Sequence, residues 1–596
     1  MSTSTHPHTL PLVPEPAPAE PSRSEDQWFS ACTLETLKQR GCVASQGVAV
    51  FLHEGKTYAV DNRCPHMGFP LSEGTVKGGV LTCHWHAWQF DLESGGCLTP
   101  SEGDVAVYPT KVESGQVFVN KRVESRSGRV GKSRTQLDRA LKTSSSLEAS
   151  KAVYRLLKAG VEPSEIVTSA AELGLRFQSG FSSGLVTLTA LSRVLSDYEV
   201  PFSLEQRVLG LIQAMSPVAS ETQGTAPRRF RGALPASRVP LPRLKQWFRG
   251  FLEDRENFGA ERTLRTAFES GGGQADLVGM VVAGATDHVF IGTGHTLDFA
   301  NKACELLDII GWQRAPDVLT ALIRDISEST RHEEDMSWKH PTDLIAMIRD
   351  SERELAGINL GDDANGVEIW DWAEALTELE PAAGFPFLVD KLRSGHGLVK
   401  VATSLAGAAV LRMHRFHTRN EFFDWDTVHH LLTHTNALLR LCKRFPSEEL
   451  ARGLLHAYGY LYLTRFLNVP PARLPEDVRG AQPDANVERL GTLIELRRIE
   501  EAGVAVYTLL RDPTAEREVK RTLAISALRE DLGFHTWQQL EACFSLHQQL
   551  PEDPRRSRPL SSLARWLGAH APTPRALYQT VDNAIRLERG DRLYED

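Results

Sequence analysis

Cys64-Pro65-His66 is followed, sixteen residues later, by Cys83-His84-Trp85-His86. Two thiols and two imidazoles, arriving as C-x-H and C-x-x-H on two separate loops, make a four-ligand set of mixed hardness, and a shared metal would pin the loops together. In a chain of this composition such a pattern arises by chance roughly four times in ten thousand. The remaining thiols reinforce the point. Cys32, Cys42, Cys64, Cys83 and Cys97 crowd the first hundred residues, while Cys304, Cys442 and Cys543 serve the rest of the 596. That spread is not a disulfide scaffold.

The texture of the chain changes around these motifs. Residues 1–25 are rich in Pro, Ser, Thr and Ala without apolar periodicity, and are expected to be a disordered tail. Residues 26–123 read as a small antiparallel all-β domain: short β-branched or aromatic runs at 48–52, 57–60, 80–82 and 116–119 alternate with Gly-bearing turns at 54–56, 77–79 and 113–115. Residues 124–146 are polar and Ser-rich and are expected to form an exposed linker. From 147 to 596 apolar residues recur at helical spacing, giving a large all-α multi-helix region of at least fifteen helices, with a possible internal boundary near 222–242. The chain is therefore expected to be multidomain.

Three readings fit the four ligands. A tetrahedral zinc would accept them. A [2Fe–2S] centre with two Cys on one iron and two His on the other is written with this spacing. Buried Cys beside surface His with no metal is the third. The residues around the motifs carry more. Tyr58-Ala-Val-Asp-Asn-Arg-Cys-Pro-His66, Pro70-Leu-Ser-Glu-Gly74 and His86-Ala-Trp-Gln-Phe-Asp91 make residues 28–122 resemble the Rieske ferredoxin-like family. The resemblance implies one [2Fe–2S] cluster per chain, with Cys64 and Cys83 on the buried iron and His66 and His86 on the iron that changes valence. His84 stands where the family usually has Pro and is not an expected ligand.

Departures from the respiratory members indicate the branch. Those proteins cross-link their two loops through an extra Cys in each; here Phe69 and Trp85 occupy those positions. They also place a Ser and a Tyr after the last ligand to hydrogen-bond the cluster sulfur and a ligand thiolate; here Trp88 and Phe90 stand there. Fewer hydrogen bonds stabilise the reduced, more negative cluster less, so the expected potential lies at the low end of the range, about −150 mV. The resemblance thus points to the soluble ferredoxin and oxygenase branch. Cys97 is expected to be a small buried side chain rather than a ligand.

The helical region holds weaker candidates. Rieske oxygenases carry a mononuclear iron held by two His and a carboxylate, and Asp426, His429 and His434 match that D-x2-H-x4-H order, though some 340 residues after the cluster and in helical sequence. His414, His417 and Glu421 would share one helix face at i, i+3 and i+7. His430 and His434 are i, i+4 neighbours. Partly buried His satisfied by their neighbours account for all of these equally. Gly284, His288, Gly292 and His295 form a helical stripe that admits either a close helix contact or a polar cavity. Over about thirty residues this segment resembles the all-α questin-oxidase-like proteins, in which helix-borne histidines line an oxidative pocket. The basic stretch 228–249 could dock an acidic donor or anionic substrate, or be a solvated loop; Arg331-His-Glu-Glu-Asp335 reads as surface.

A net charge of −9 argues against a generic nucleic-acid binder. No 18-residue apolar run and no signal-type N-terminus are present, so neither membrane nor secretion is expected and the cytoplasm is the expected location. Two functions follow. In the first, an oxidoreductase, the cluster passes electrons to an oxidative active site in the helical part, with an additional non-haem iron and a small organic substrate as possible components. In the second, a ferredoxin-type carrier or redox sensor is fused to a helical interaction domain. Either needs a reductase or ferredoxin as electron donor, because no G-x-G-x-x-G fingerprint appears. Oligomeric state and substrate are not readable.

Overall fold

The computed structural model describes residues 26–99, 103–121, 125–178, 180–235, 239–358, 368–477, 486–591 and 593. The tail expected over 1–25 lies outside the described residues. The chain divides into two units, one ending at Lys132 and one spanning Ser133–Leu593.

The first unit is built from hairpins. At Gln46-Gly47, Glu54-Gly55, Gly78-Gly79 and Ser114-Gly115 two consecutive residues have positive φ. This is the two-residue turn whose twist matches that of paired strands, and glycine at its second position removes the steric penalty there. The turns generate three antiparallel sheets. One joins Trp28–Thr33, Gln116–Asn120 and Thr110–Glu113; a second runs Cys42–Ser45, Val48–His53, Lys56–Asp61, Val107–Tyr108; a third joins Thr75–Lys77, Val80–Thr82 and Gln89–Asp91. Because side chains alternate across a strand, Val48 and Val50 enter one core with Leu37, Val117 and Val119. Ala49 and Phe51 enter the other, with Leu71, Leu81, Phe90 and the two thiols Cys64 and Cys83. The Cys64 and Cys83 motifs are thus anchored in the larger β core.

The linker expected over 124–146 is instead mostly helix, Arg126–Lys142, with Leu137, Ala140 and Leu141 buried. Its serines suggested a coil, but Leu137 and Leu141 at i, i+4, among Arg, Lys and Gln of good helix propensity, make an amphipathic turn. From there on the chain is helical, with twenty-two α-helices among the described residues. The stretch 222–242 is a connection between helices Leu204–Glu221 and Leu241–Glu253 inside the second unit. Among the described residues no helix is long and apolar enough to cross a membrane.

Three helices, His295–Ile310, Asp424–Arg444 and Phe534–Gln549, are locked together by buried charge. Lys302 Nζ lies 2.9 Å from Glu305 and 2.5 Å from Glu541, and Arg440 Nε 2.6 Å from Glu305. Arg193, from helix Ser183–Ser196, reaches Glu541 at 3.3 Å, and Gln538 is hydrogen-bonded to Asp298. Buried ion pairs add little net stability over apolar packing, but an unmatched register would strand charges in the core. The network therefore fixes the relative register of these helices, and it does so one to three turns from their histidines.

Candidate functional site

The two ligand loops of the first unit have the same backbone design. Cys64 N–H donates to Phe69 O (2.8 Å) and Gly68 N–H to Cys64 O (2.8 Å); Cys83 N–H donates to Trp88 O (2.7 Å) and Ala87 N–H to Cys83 O (3.0 Å). Each loop thus closes on its own cysteine and turns through a left-handed residue, Gly68 (φ 81°) in one and Ala87 (φ 57°) in the other. Alanine at that φ is strained.

These loops present four donors together. The Cys64 and Cys83 sulfurs are hydrogen-bonded neighbours, and the His66 and His86 rings lie 4.6 Å apart, edge to face. The thiols are buried (4% and 1% exposed) while His66 is half-buried and His86 exposed, the inner and outer placement a sulfur-held and a histidine-held iron require. Backbone N–H groups of His66 and Met67 serve Cys64, and those of Trp85 and His86 serve Cys83. Their hydrogen bond and burial hold the Cys64 thiol up, while the same hydrogen bond holds the Cys83 thiol down. Two buried sulfurs that already accept amide hydrogen bonds, facing two imidazoles, fit a [2Fe–2S] cluster.

The positions that distinguish the branch are filled by aromatic packing. Phe69 and Trp85 are in ring contact across the two loops at 5.8 Å. Trp88 stacks on His66 at 4.5 Å and 9°, and Phe90 is fully buried among the core residues around the thiols. His84 is exposed. Cys97 is half-buried, its sulfur 3.0 Å from the Thr99 hydroxyl.

In the helical unit the expected clusters assemble differently. Asp426, His429 and His434 do not converge. His429 Nδ1 bonds Gln539 Oε1 (2.9 Å), His434 Nδ1 bonds Gly294 O (3.0 Å), and Asp426 pairs with His535 Nδ1 (3.0 Å). The reason is angular: residues 426, 429 and 434 share a helix, but Asp426 and His429 meet helix Phe534–Gln549 at two different positions while His434 turns to the Gly294 carbonyl. His414 ends its helix, Leu398–His414, so His417 and Glu421 lie beyond it and the single-face arrangement fails. His414 instead contacts Ser562 Oγ at 3.0 Å. The stripe from Gly284 to His295 is broken too. Helix Gln274–Thr286 stops, and Phe290, Gly292, Thr293 and Gly294 take left-handed φ before the next helix begins at His295. His288 is held by Glu333 (2.5 Å) and Glu253 (3.0 Å). In the basic stretch, Arg228 donates to Thr320 and Arg249 pairs with Asp287. Arg331, expected at the surface, is buried and donates to the carbonyls of Leu252 and Glu253.

What the fold brings together is His295, His430 and His535, one from each of the three locked helices, with nitrogens within 4.8 Å of one another. His535 has no local signal in the sequence. Its clue lies further along the helix, in the consecutive buried polar residues Gln538 and Gln539 and the buried Glu541. Burial, reinforced by His535, lowers His295 to about 3 and His429 to about 3, and burial lowers His434 to about 4. These rings are neutral, with lone pairs available.

Comparisons with known proteins fall on the first unit. Residues 27–109 match the family model of the Rieske [2Fe-2S] domain. The ferredoxin component of the alkene monooxygenase system of Xanthobacter autotrophicus is 38% identical over 78 residues, 13% of this chain and 64% of that protein. The ferredoxin component of the naphthalene 1,2-dioxygenase/salicylate 5-hydroxylase systems of a Ralstonia species is 31% identical over 97 residues, 15% of this chain and 93% of that protein. A solved complex of reduced oxygenase and oxidized ferredoxin in carbazole 1,9a-dioxygenase shares 28% identity over 16% of this chain and 96% of that one, with a TM-score of 0.15, too low to bear on the fold. Through residues 27–109, the chain belongs to the Rieske [2Fe-2S] domain family.

Proposed function

We propose that the chain is an oxidoreductase that takes single electrons through its Rieske domain into an oxidative active site in the helical unit. Cys64, Cys83, His66 and His86 are the proposed cluster ligands. The bound cluster supplies reversible one-electron transfer. The buried thiols and their amide donors hold the charge that reduction adds, and exposed His86, beside exposed Trp85, forms the edge at which an electron donor docks. That donor is a separate reductase or ferredoxin. The eight unpaired cysteines suit a cytoplasmic setting.

One observation carries the oxidative part: the helical unit gathers half-buried His295, His430 and His535, one from each of three helices, with nitrogens within 4.8 Å of one another. The test uses the full chain, reduced without oxygen and then mixed with it. Wild type is expected to reoxidise at least tenfold faster than His430→Ala, with the same cluster absorption in both. Equal rates would favour the second reading, a ferredoxin-type carrier or sensor with a helical interaction domain, which the ferredoxin relatives support.

A further inference from the structure

We propose that His295, His430 and His535 bind one divalent transition-metal ion, with Asp426 as the positioning residue that orients His535. The inference deepens the oxidative reading and rests on it for the choice of iron; the existence of the site does not depend on that choice.

Geometry carries the proposal. His430 Nε2 and His535 Nε2 stand 3.3 Å apart. Nitrogens bound about 2.1 Å from one ion are separated by roughly 3.0–3.4 Å in octahedral cis to tetrahedral arrangements, so this pair is already at ligand spacing. The third ring, with nitrogens within 4.8 Å of the others, closes by a modest side-chain rotation. His535 Nδ1 lies 3.0 Å from Asp426 Oδ1. The Nδ1–H donates to that carboxylate, leaving the Nε2 lone pair aimed at His430. This carboxylate–histidine pair is the usual support of a metal-bound imidazole: it fixes the tautomer and raises ligand basicity.

The same arrangement leaves hydrogen bonding incomplete. Among the described residues His295 Nδ1 is buried without a hydrogen-bond partner, a deficit that coordination through this nitrogen would remove. The three imidazoles are half-buried, close enough together to converge on one ion and open enough for it to enter. An ion held by three neutral nitrogens keeps coordination positions open for water, oxygen or substrate. The Asp426 side chain is 37% exposed, and the rings of Phe299 and Phe534 lie against His295. Among the described residues no cysteine joins the cluster, so the set differs in kind from that of the Rieske loops and favours a harder ion.

The experiment uses the cluster-loaded full chain, stripped of loosely held metal with a chelator and titrated with cobalt(II) and, separately, iron(II). Visible cobalt bands and one cobalt per chain are expected for wild type. Binding should be lost in His430→Ala and in His535→Gln, with cluster absorption and far-UV circular dichroism retained. Asp426→Asn keeps three ligands and should weaken cobalt binding by about tenfold to a hundredfold, which a purely structural carboxylate would not do. Equal cobalt binding by wild type and all three variants, or none by folded wild type, overturns the site. Protein as isolated should hold three irons, falling to two in the His variants. Trio-dependent binding without oxygen reactivity keeps the site and overturns the oxidative reading. Trio-dependent reoxidation without any metal binding overturns the site and keeps that reading.

Discussion

The chain holds its two groups of histidines by opposite means. In the Rieske loops, backbone hydrogen bonds within six residues fix the cysteines and the histidines beside them, and each loop closes on its own cysteine. In the helical unit, His295, His430 and His535 are set by the register of three helices that a buried charge network fixes. The first arrangement is local and tolerates change elsewhere; the second is only as sound as the packing of the whole bundle. The donors differ in the same sense: thiolate and imidazole suit a covalent cluster, whereas imidazoles alone suit a single exchangeable ion.

The largest effect should come from Cys83→Ser. It is expected to abolish cluster iron and visible absorption while leaving the melting of the helical unit unchanged; a coupled loss of helix would break the picture of independent centres. Next, Glu541→Gln removes a charge that balances Lys302 and Arg193. It should destabilise the helical unit by about 3–5 kcal/mol in urea unfolding followed by circular dichroism, with cluster absorption retained at the helical midpoint. A loss below about 1 kcal/mol would mean that packing, not charge, sets the register.

Acid should separate the regions further. His429, lowered to about 3, and His434, lowered to about 4, stay neutral in the fold, whereas the unfolded chain takes up protons below 6.5. Their stabilisation is complete above 6.5 and is lost as pH falls toward 4. His295, lowered to about 3 by desolvation, and buried His414 act the same way. Asp298 and Asp325, raised to about 7 by burial, act oppositely, their protonated forms favouring the fold as pH falls from 7 toward 4. Four rings outweigh two carboxyls, so the melting temperature of the helical unit is expected to drop by several degrees between pH 7 and 5. An unchanged melt would show the rings to be hydrated. Ala87→Gly should give the smallest effect, stabilising the cluster unit by about 0.5–1 kcal/mol through relief of the left-handed strain, read as slower cluster loss in denaturant.

Legibility in the sequence followed the same division. The β unit could be read because its determinants are neighbours: Glu54-Gly55 and Ser114-Gly115 announce hairpins, and Cys64 to His86 spans only 23 residues. The helix Arg126–Lys142 was masked by its serines, although Leu137 and Leu141 carried the period. The trio was illegible because 240 residues separate His295 from His535, and no spacing rule survives an intervening bundle. Within one helix, spacing even misled, since His429 and His434 share a helix with Asp426 yet bond Gln539 and the Gly294 carbonyl.

The contact between Phe69 and Trp85 has a consequence for where such a protein can work. A covalent bridge between the ligand loops would open or close with the thiol poise of its surroundings, whereas an aromatic contact has no oxidation state to lose. The loops are therefore clasped as firmly in a strongly reducing milieu as in air, and retention of the cluster is uncoupled from the glutathione pool around it.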